Sequence, residues 1–431
     1  MQSVWQDLQL PSFAPLQGDL KTDVLIIGGG LAGILCAFFL QQSGVDYALA
    51  EADTICGGVT AGTTAKITAQ HGLIYDKLLK SLGAERAAMY LQANLQALQT
   101  YARLCEKADC DYQVQPSFVY SVDNRGKIER EIRALQRLGY PAVFAEHLQI
   151  PVTVSGAVGM DDQAQFHPLK FVRSFARVLR IYEHTPIREL RGTQAITDHG
   201  RITAGAIIVA THFPFLNKHG GYFLKMFQHR SYVLGLRNAP TVEGMYVDEA
   251  DDGLSFRNTQ DLLLLGGGGH KTGKPGGSWR VLERFAAMRY PDACVQYRWA
   301  AQDCMTLDSV PYIGRYSART KNLYVATGFN KWGITGSMAA ALLLTDLVTG
   351  RDNAFAPLFH PSRNMLKPQL FINGGNAVAN LLTFSRKRCP HLGCALKWNQ
   401  AEHSWDCPCH GSRFAEDGAL LDNPATGPLK K

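Results

Sequence analysis

The chain has 431 residues, more than one ordinary domain needs, so two or three folded units are expected. With 46% hydrophobic and 19% charged residues it has the composition of a globular protein, which excludes disordered and fibrous classes. The net charge of +7 is spread along the chain without basic runs, which argues against nucleic-acid binding.

The first residues, MQSVWQDLQLPSF, lack the positive start and apolar stretch of a secretory signal. The apolar run MAAALLL at 338–344 soon meets Asp346 and falls well short of the ~18 residues that span a bilayer. A cytoplasmic protein with no transmembrane segment is the expectation. Cys36, Cys56, Cys105, Cys110, Cys294 and Cys304 stand at unrelated spacings, as reduced and mostly buried thiols do.

TDVLII at 22–27 has the continuous apolar character of a buried parallel strand. It runs into Gly28, Gly30 and Gly33, spaced as G-x-G-x-x-G, and then into LAGILCAFFLQQSG, with apolar residues at helical spacing and Gly44 at its end. A second strand, VDYALA, leads to Glu51, about twenty residues beyond the glycines, where a carboxylate can accept hydrogen bonds from a ribose. Strand, glycine turn, helix, strand and acid in that order predict a dinucleotide site, with the pyrophosphate over the helix N-terminus.

Further along, QVQPSFVYSV at 113–122 and DLLLLGGG at 261–268 are strand-like, and KIEREIRALQRLG at 127–139 is an amphipathic surface helix. TAGAIIVATHF at 203–213 predicts a strand delivering a turn near the cofactor. GGGGHKTG at 266–273 follows a strand but does not continue as a helix, so it is not a second dinucleotide motif. KNLYVATGFNKWGITGSMAAALLLTDLVTG at 321–350 repeats the strand, glycine turn, helix plan. Residues 351–388, with RDNAFAPLFHPSRNML and NGGN, predict a turn-rich connector.

The C-terminal stretch carries Cys389 and His391 as C-x-H and Cys407 and His410 as C-x-x-H, two ligand pairs able to close on one metal site. Zinc accepts a Cys2His2 set as well. Cys394 and Cys409, each near a glycine, are extra to that set and weigh against it.

Two resemblances follow from these residues. EADTICGGVTAGTTAKITAQHG, IIVATHFPF, and TLDSVPYIGRY followed by LYVATGFNKWGITG are similar to the D-amino-acid oxidase and glycine oxidase superfamily of FAD-dependent amine oxidoreductases, over roughly residues 1–365. That resemblance implies FAD, held by Gly28, Gly30, Gly33, Glu51, Thr64, Gly328, Gly333 and Thr335, with the isoalloxazine ring over the GFNKWGITG turn. Lys66 and His71 are candidates to face the ring, Tyr232 to line the pocket. Lys271 stands where some relatives place a lysine near the flavin, and Cys304 where some attach it covalently.

CPHLGC and CPCHGSRF resemble Rieske [2Fe-2S] domains. That resemblance implies Cys389, Cys407, His391 and His410 as cluster ligands, a Cys394–Cys409 disulfide, and Ser412 hydrogen-bonded to a cluster sulfide. His403 is expected in solvent. Two neutral imidazoles in place of thiolates put such a centre at roughly −150 to +300 mV, and Phe414, where high-potential members carry a tyrosine, keeps it from the top of that range. Base strands ahead of the first ligand loop are short or missing, so the tail must lean on the rest of the chain for a core.

The expected architecture is α/β: a doubly wound, Rossmann-like FAD-binding sheet, an antiparallel α+β substrate subdomain, and a small all-β Rieske-like module. The first unit spans 1–365, with its FAD-binding part at 20–82, 151–214 and 301–350 and its substrate part at 83–150 and 215–300; the second spans 366–431. The expected activity is oxidation of a small amine, amino acid or hydroxy acid at the flavin, with electrons leaving through the cluster to an external acceptor. A non-catalytic electron-transfer or redox-sensing protein is the alternative. A Rieske oxygenase is disfavoured, since His212 and His219 lack the paired acid that a mononuclear iron site needs.

Overall fold

The structure, a computed structural model, describes residues 2–217, 219–363, 368–383, 385 and 387–429. Strand β1 (Leu20–Ile27) occupies the middle of the first sheet, buried on both faces as its apolar run requires. It pairs in parallel with β2 (Tyr47–Ala50) on one side and with Arg201–Val209 on the other, and Leu323–Thr327 extends the sheet beyond. Helix α1 (Leu31–Gln42) connects β1 to β2 and packs with the Gly333–Val348 helix in one core, through residues such as Ile34, Leu35, Ala340 and Leu344. Both helices are apolar nearly all round because both are buried between layers.

The second sheet is antiparallel except where Gln113–Ser121 runs parallel to Met245–Asp248. Its strands run in the order Cys294–Thr306, Met226–Arg237, Leu262–Lys271, Ser255–Thr259, Met245–Asp248, Gln113–Ser121, Gly156–Gln165, Lys66–Ile67. This differs from the expected division in three places, the first being Lys66–Ile67, which falls in the expected nucleotide half yet pairs with Gly156–Gln165 in this sheet. Gly156–Gln165 pairs along Gln113–Ser121 and so belongs to the second sheet, not to the nucleotide half. Cys294–Thr306 runs unbroken across residue 300, because it pairs with Met226–Arg237 on both sides of that residue, with one register shift at Gln296.

The tail is a four-stranded antiparallel sheet, Lys397–Asn399, Ser404–Asp406, Arg413–Ala415 and Leu420–Asp422, whose core is little more than Cys389, Cys394, Leu396, Cys407, Cys409, Phe414 and Ala425. What precedes it is not the turn-rich connector expected but a helix, Pro368–Leu382, running straight through NGGN. Tertiary contacts override the low helix propensity of the two glycines: Asn373 donates to the Leu224 carbonyl at 3.2 Å, and the Asn380 carbonyl accepts the Ala395 amide at 3.2 Å. The boundary expected at 365/366 lies outside the described residues. Among the described residues no helix is long and apolar enough to cross a membrane.

Candidate functional site

The C-terminal ends of β1 and β2 open into a cavity of about 940 Å³. Gly28 ends β1 with a φ of 108°, and a Cβ there would lie 2.6 Å from the Ala210 carbonyl oxygen. A Cβ on Gly33 would lie 1.9 Å from the Gly28 carbonyl oxygen, so this glycine sets the approach of helix to strand. Gly30 is the N-cap of α1 and lines the cavity, while Thr60 accepts the Leu31 amide at 3.0 Å. Glu51 lines it too, its carboxylate accepting the Gly29 and Asp53 amides; burial raises its pKa against those bonds. The arrangement fits a dinucleotide: backbone at a helix start for the phosphates, and a carboxylate at the end of the next strand in the same cavity.

At the other end the turn Phe329–Trp332 and the first residues of the Gly333–Val348 helix form the wall. Thr64 and Gly333 line the cavity; Gly328 and Thr335 do not. Gly328, with a φ of 73°, packs its backbone against Thr306, and the Thr335 hydroxyl donates to the Thr68 carbonyl at 2.9 Å. Their contribution is to shape the turn from behind.

The candidate catalytic residues separate in the same way. Lys66 is buried beside the cavity, its Nζ donating to the Thr64 hydroxyl at 3.0 Å, and burial together with the Arg257 charge lowers its pKa to about 7. His71 reaches the cavity wall, but both ring nitrogens are engaged, Nδ1 with the Tyr90 hydroxyl at 2.7 Å and Nε2 with Thr68 and Thr335. Burial lowers its pKa to about 3, and its ring stacks on Trp332 at 4.9 Å. It holds the helix turn and has no nitrogen left for proton transfer. Lys271 does not line the cavity: its strand ends under the tail, where its Nζ lies 5.3 Å from the Phe227 ring. Tyr232 lines the cavity and hydrogen-bonds His270 at 3.0 Å.

Cys304 is turned away from the cavity. Alternation along Cys294–Thr306 sends Ala301, Asp303 and Met305 into it and buries Cys304 in the opposite core, so the position at which some relatives attach flavin faces away from the cavity here. The same alternation presents Asp303, which the sequence analysis missed although the period of two was there to be read.

The tail brings its expected ligands together. The His391 and His410 rings lie 5.0 Å apart, and the Nδ1 atom of each is buried without a hydrogen-bond partner. His391 Nε2 meets Asn217 Oδ1 at 2.8 Å, so Nε2 carries the proton and Nδ1 keeps a lone pair. Burial lowers the His391 pKa to about 4, which keeps the ring neutral. The Cys389, Cys394 and Cys409 thiols converge on Cys407 and lower its pKa well below the ordinary thiol range, and Ser412 hydrogen-bonds Cys389. Two orphaned imidazole nitrogens beside a thiolate-favouring sulfur fit an iron–sulfur cluster. The sulfurs of Cys394, Cys407 and Cys409 lie within 4.8 Å of one another, with Cys394 and Cys409 present as free thiols and no S–S bond between them. His403 is exposed.

The two sites adjoin. Leu420–Asn423, Ala425 and Thr426 of the tail line the same cavity as the glycine turn. Gln228 donates to the His410 carbonyl at 2.8 Å, Gln302 to the Gly411 carbonyl at 2.9 Å, and Asn423 to the carbonyls of Thr211 and Phe213. Beneath them Arg230 pairs with Glu402, Nε to Oε1 at 2.8 Å, and Arg413 pairs with Glu402, Asp406 and Asp422. Burial works against the Glu402 charge, but Arg230 and Arg413 hold its pKa below the ordinary carboxylate value. No local sequence signal marks these contacts.

Residues 23–347 match the family described as FAD dependent oxidoreductase, and residues 374–431 the Rieske [2Fe-2S] domain. The chain is 35% identical to the Rieske 2Fe-2S iron-sulfur protein YhfW of Bacillus subtilis, over 98% of this chain and 95% of that one. It is 24% identical to the gamma-glutamylputrescine oxidoreductase of Escherichia coli, over 81% of this chain and 89% of that one. The glycine oxidase structure from Geobacillus kaustophilus superposes with a TM-score of 0.67 at 20% identity, over 80% of this chain and 99% of that one, a likeness of fold. FAD and a [2Fe-2S] cluster are therefore the cofactors of this protein. The chain belongs to the FAD dependent oxidoreductase family and carries a Rieske [2Fe-2S] domain at its C-terminal end.

Proposed function

We propose that this protein, in the cytoplasm, oxidises a small amine or amino acid at FAD and passes the electrons singly through its own Rieske cluster to an external acceptor. Bound FAD supplies a two-electron acceptor, and the cluster a one-electron acceptor of moderate potential. The observation that carries this function is the shared wall: residues 420–426 of the cluster module line the cavity that holds the glycine turn. Covalent tethering makes their meeting intramolecular, and Gln228, Gln302 and Asn423 hold it in place.

The chain's own residues have distinct tasks in this scheme. Gly28 and Gly30 admit the diphosphate, Gly33 lets α1 pack closely on β1, and Glu51 takes the ribose. The Gly333–Val348 helix, with no acidic residue in its first turn, directs its positive end into the cavity and favours negative charge there. Lys66, with a pKa near 7, can take up or release a proton at the working pH. Cys389 and Cys407 with His391 and His410 hold the cluster, Cys394 and Cys409 brace its loops as a disulfide in the oxidised protein, and Asn217 fixes the tautomer of His391.

The test is anaerobic mixing of the purified protein with amines, amino acids and hydroxy acids, following flavin absorbance and the cluster's EPR signal together. Bleaching of the flavin followed by appearance of the reduced-cluster signal is expected. Flavin that is reduced while the cluster stays oxidised would sink the electron route, and no bleaching with any compound would point to the non-catalytic alternative.

A further inference from the structure

Asp303 is a carboxylate inside the cavity that none of the functions above employs. It lies opposite His229 on the neighbouring strand and beside the turn at the start of the Gly333–Val348 helix, where the Asn330 amide donates to the Cys304 carbonyl at 3.1 Å. That is the end of the cavity away from the glycine turn, where the reacting part of a dinucleotide must lie. Among the described residues no lysine, arginine or histidine nitrogen is in ion-pair contact with it. Burial raises its pKa, while the charges of His212, Lys331 and Arg230 oppose that rise from a distance.

The neighbouring lysines and arginines have other engagements, and His212, whose Nε2 is buried in the cavity wall without a hydrogen-bond partner, has its charged form disfavoured by burial. Arg230 is taken by Glu402 of the tail. Arg257 spends its guanidinium on the carbonyls of Thr64, Ala65 and Asn258. Arg188, at the nucleotide end, is paired with Asp198. Lys331 points its Nζ at the Asp251 carbonyl, 3.4 Å away, and burial disfavours its charge. Lys66 has the same bias toward its neutral form. A substrate carboxylate at this end would meet Asp303 with no guanidinium free to receive it, whereas an ammonium would supply the countercharge that the protein leaves out.

We propose that Asp303 is the specificity-determining residue of the cavity and selects a primary or secondary alkylammonium that bears no carboxylate on the carbon to be oxidised. This rests on the proposed oxidation at FAD and narrows its substrate from amine or amino acid to amine.

Binding to the flavin-loaded full chain is measured by calorimetry with two probes that cannot be oxidised at the carbon bearing the charged group, tert-butylammonium and pivalate. The wild-type protein should bind tert-butylammonium at least tenfold more tightly than pivalate. Asp303→Asn should weaken tert-butylammonium binding at least tenfold, and Asp303→Glu should recover part of it. Should Asp303→Asn not retain flavin, the wild-type preference and the Asp303→Glu protein decide. Tighter binding of pivalate, or equal ammonium binding by wild type and Asp303→Asn, overturns the proposal. Flavin bleached by α-amino acids and not by simple amines overturns it too while leaving oxidation at FAD standing; no bleaching by any compound removes both.

Discussion

Asn217 Oδ1 is the hydrogen-bond acceptor that leaves the His391 Nδ1 lone pair free, and it comes from the FAD dependent oxidoreductase domain, 174 residues away. Asn217→Ala should loosen the ring and reduce cluster retention by roughly tenfold, as loss of an outer-shell partner does, and raise the cluster potential because the imidazole becomes a poorer electron donor. An EPR-monitored redox titration checks both. His391→Cys should keep a cluster and lower its potential toward the all-thiolate range near about −400 mV. Lys66 makes a separate prediction, for stability against pH. Its pKa falls on folding from 10.5 to about 7, so between these values the unfolded chain holds the extra proton and stability rises with pH. The penalty is absent above pH 10.5 and complete below about pH 7, worth up to about 5 kcal/mol there. Lys66→Met should flatten that slope in thermal unfolding measured from pH 7 to 9.5. The opposing fates of His71 and Asp303 show what a residue list could not settle: both sit in promising segments, yet one has spent its nitrogens on Tyr90, Thr68 and Thr335, and the other is in ion-pair contact with no described cation.

Elements carry the cofactor cradle. In the β1–α1 unit every demand is local: an apolar strand, glycines where backbone must approach backbone, an apolar helix, and an acid at the end of the next strand. Gly33→Ala would set a Cβ 1.9 Å from the Gly28 carbonyl oxygen, so α1 must shift off β1. A loss of about 1–3 kcal/mol and release of FAD on gel filtration are expected. This unit was legible because its periodicity and glycine spacing are short-range. The NGGN helix was not, since glycine propensity argued against it and contacts from outside the helix, among them those of Leu224 and Ala395, decide it. Alternation on Cys294–Thr306 lies between these extremes: the period was readable, but which parity faces the cavity depends on the strand's pairing with Met226–Arg237.

At the scale of the whole molecule, the tail owes its position to a buried ionic network. Breaking the Arg230–Glu402 pair from one side, with Glu402→Gln or Arg230→Met, leaves Arg413 or Glu402 under-compensated and should cost about 3–5 kcal/mol of docking and tail stability. Stopped-flow absorbance should then show flavin reduction at nearly its original rate and much slower cluster reduction, with faster hydrogen exchange confined to the tail. High salt should imitate this poorly, because both partners are less than a tenth exposed. The amino-acid sequence by itself determined the two cofactor motifs and both family memberships, since each is written in residues that lie close together along the chain. Tertiary structure alone decided that the tail walls the flavin cavity, that Lys271 and Cys304 stand outside it and that Asp303 stands within. Those outcomes depend on which strands pair and which carbonyls meet across hundreds of residues, and no local pattern encodes that.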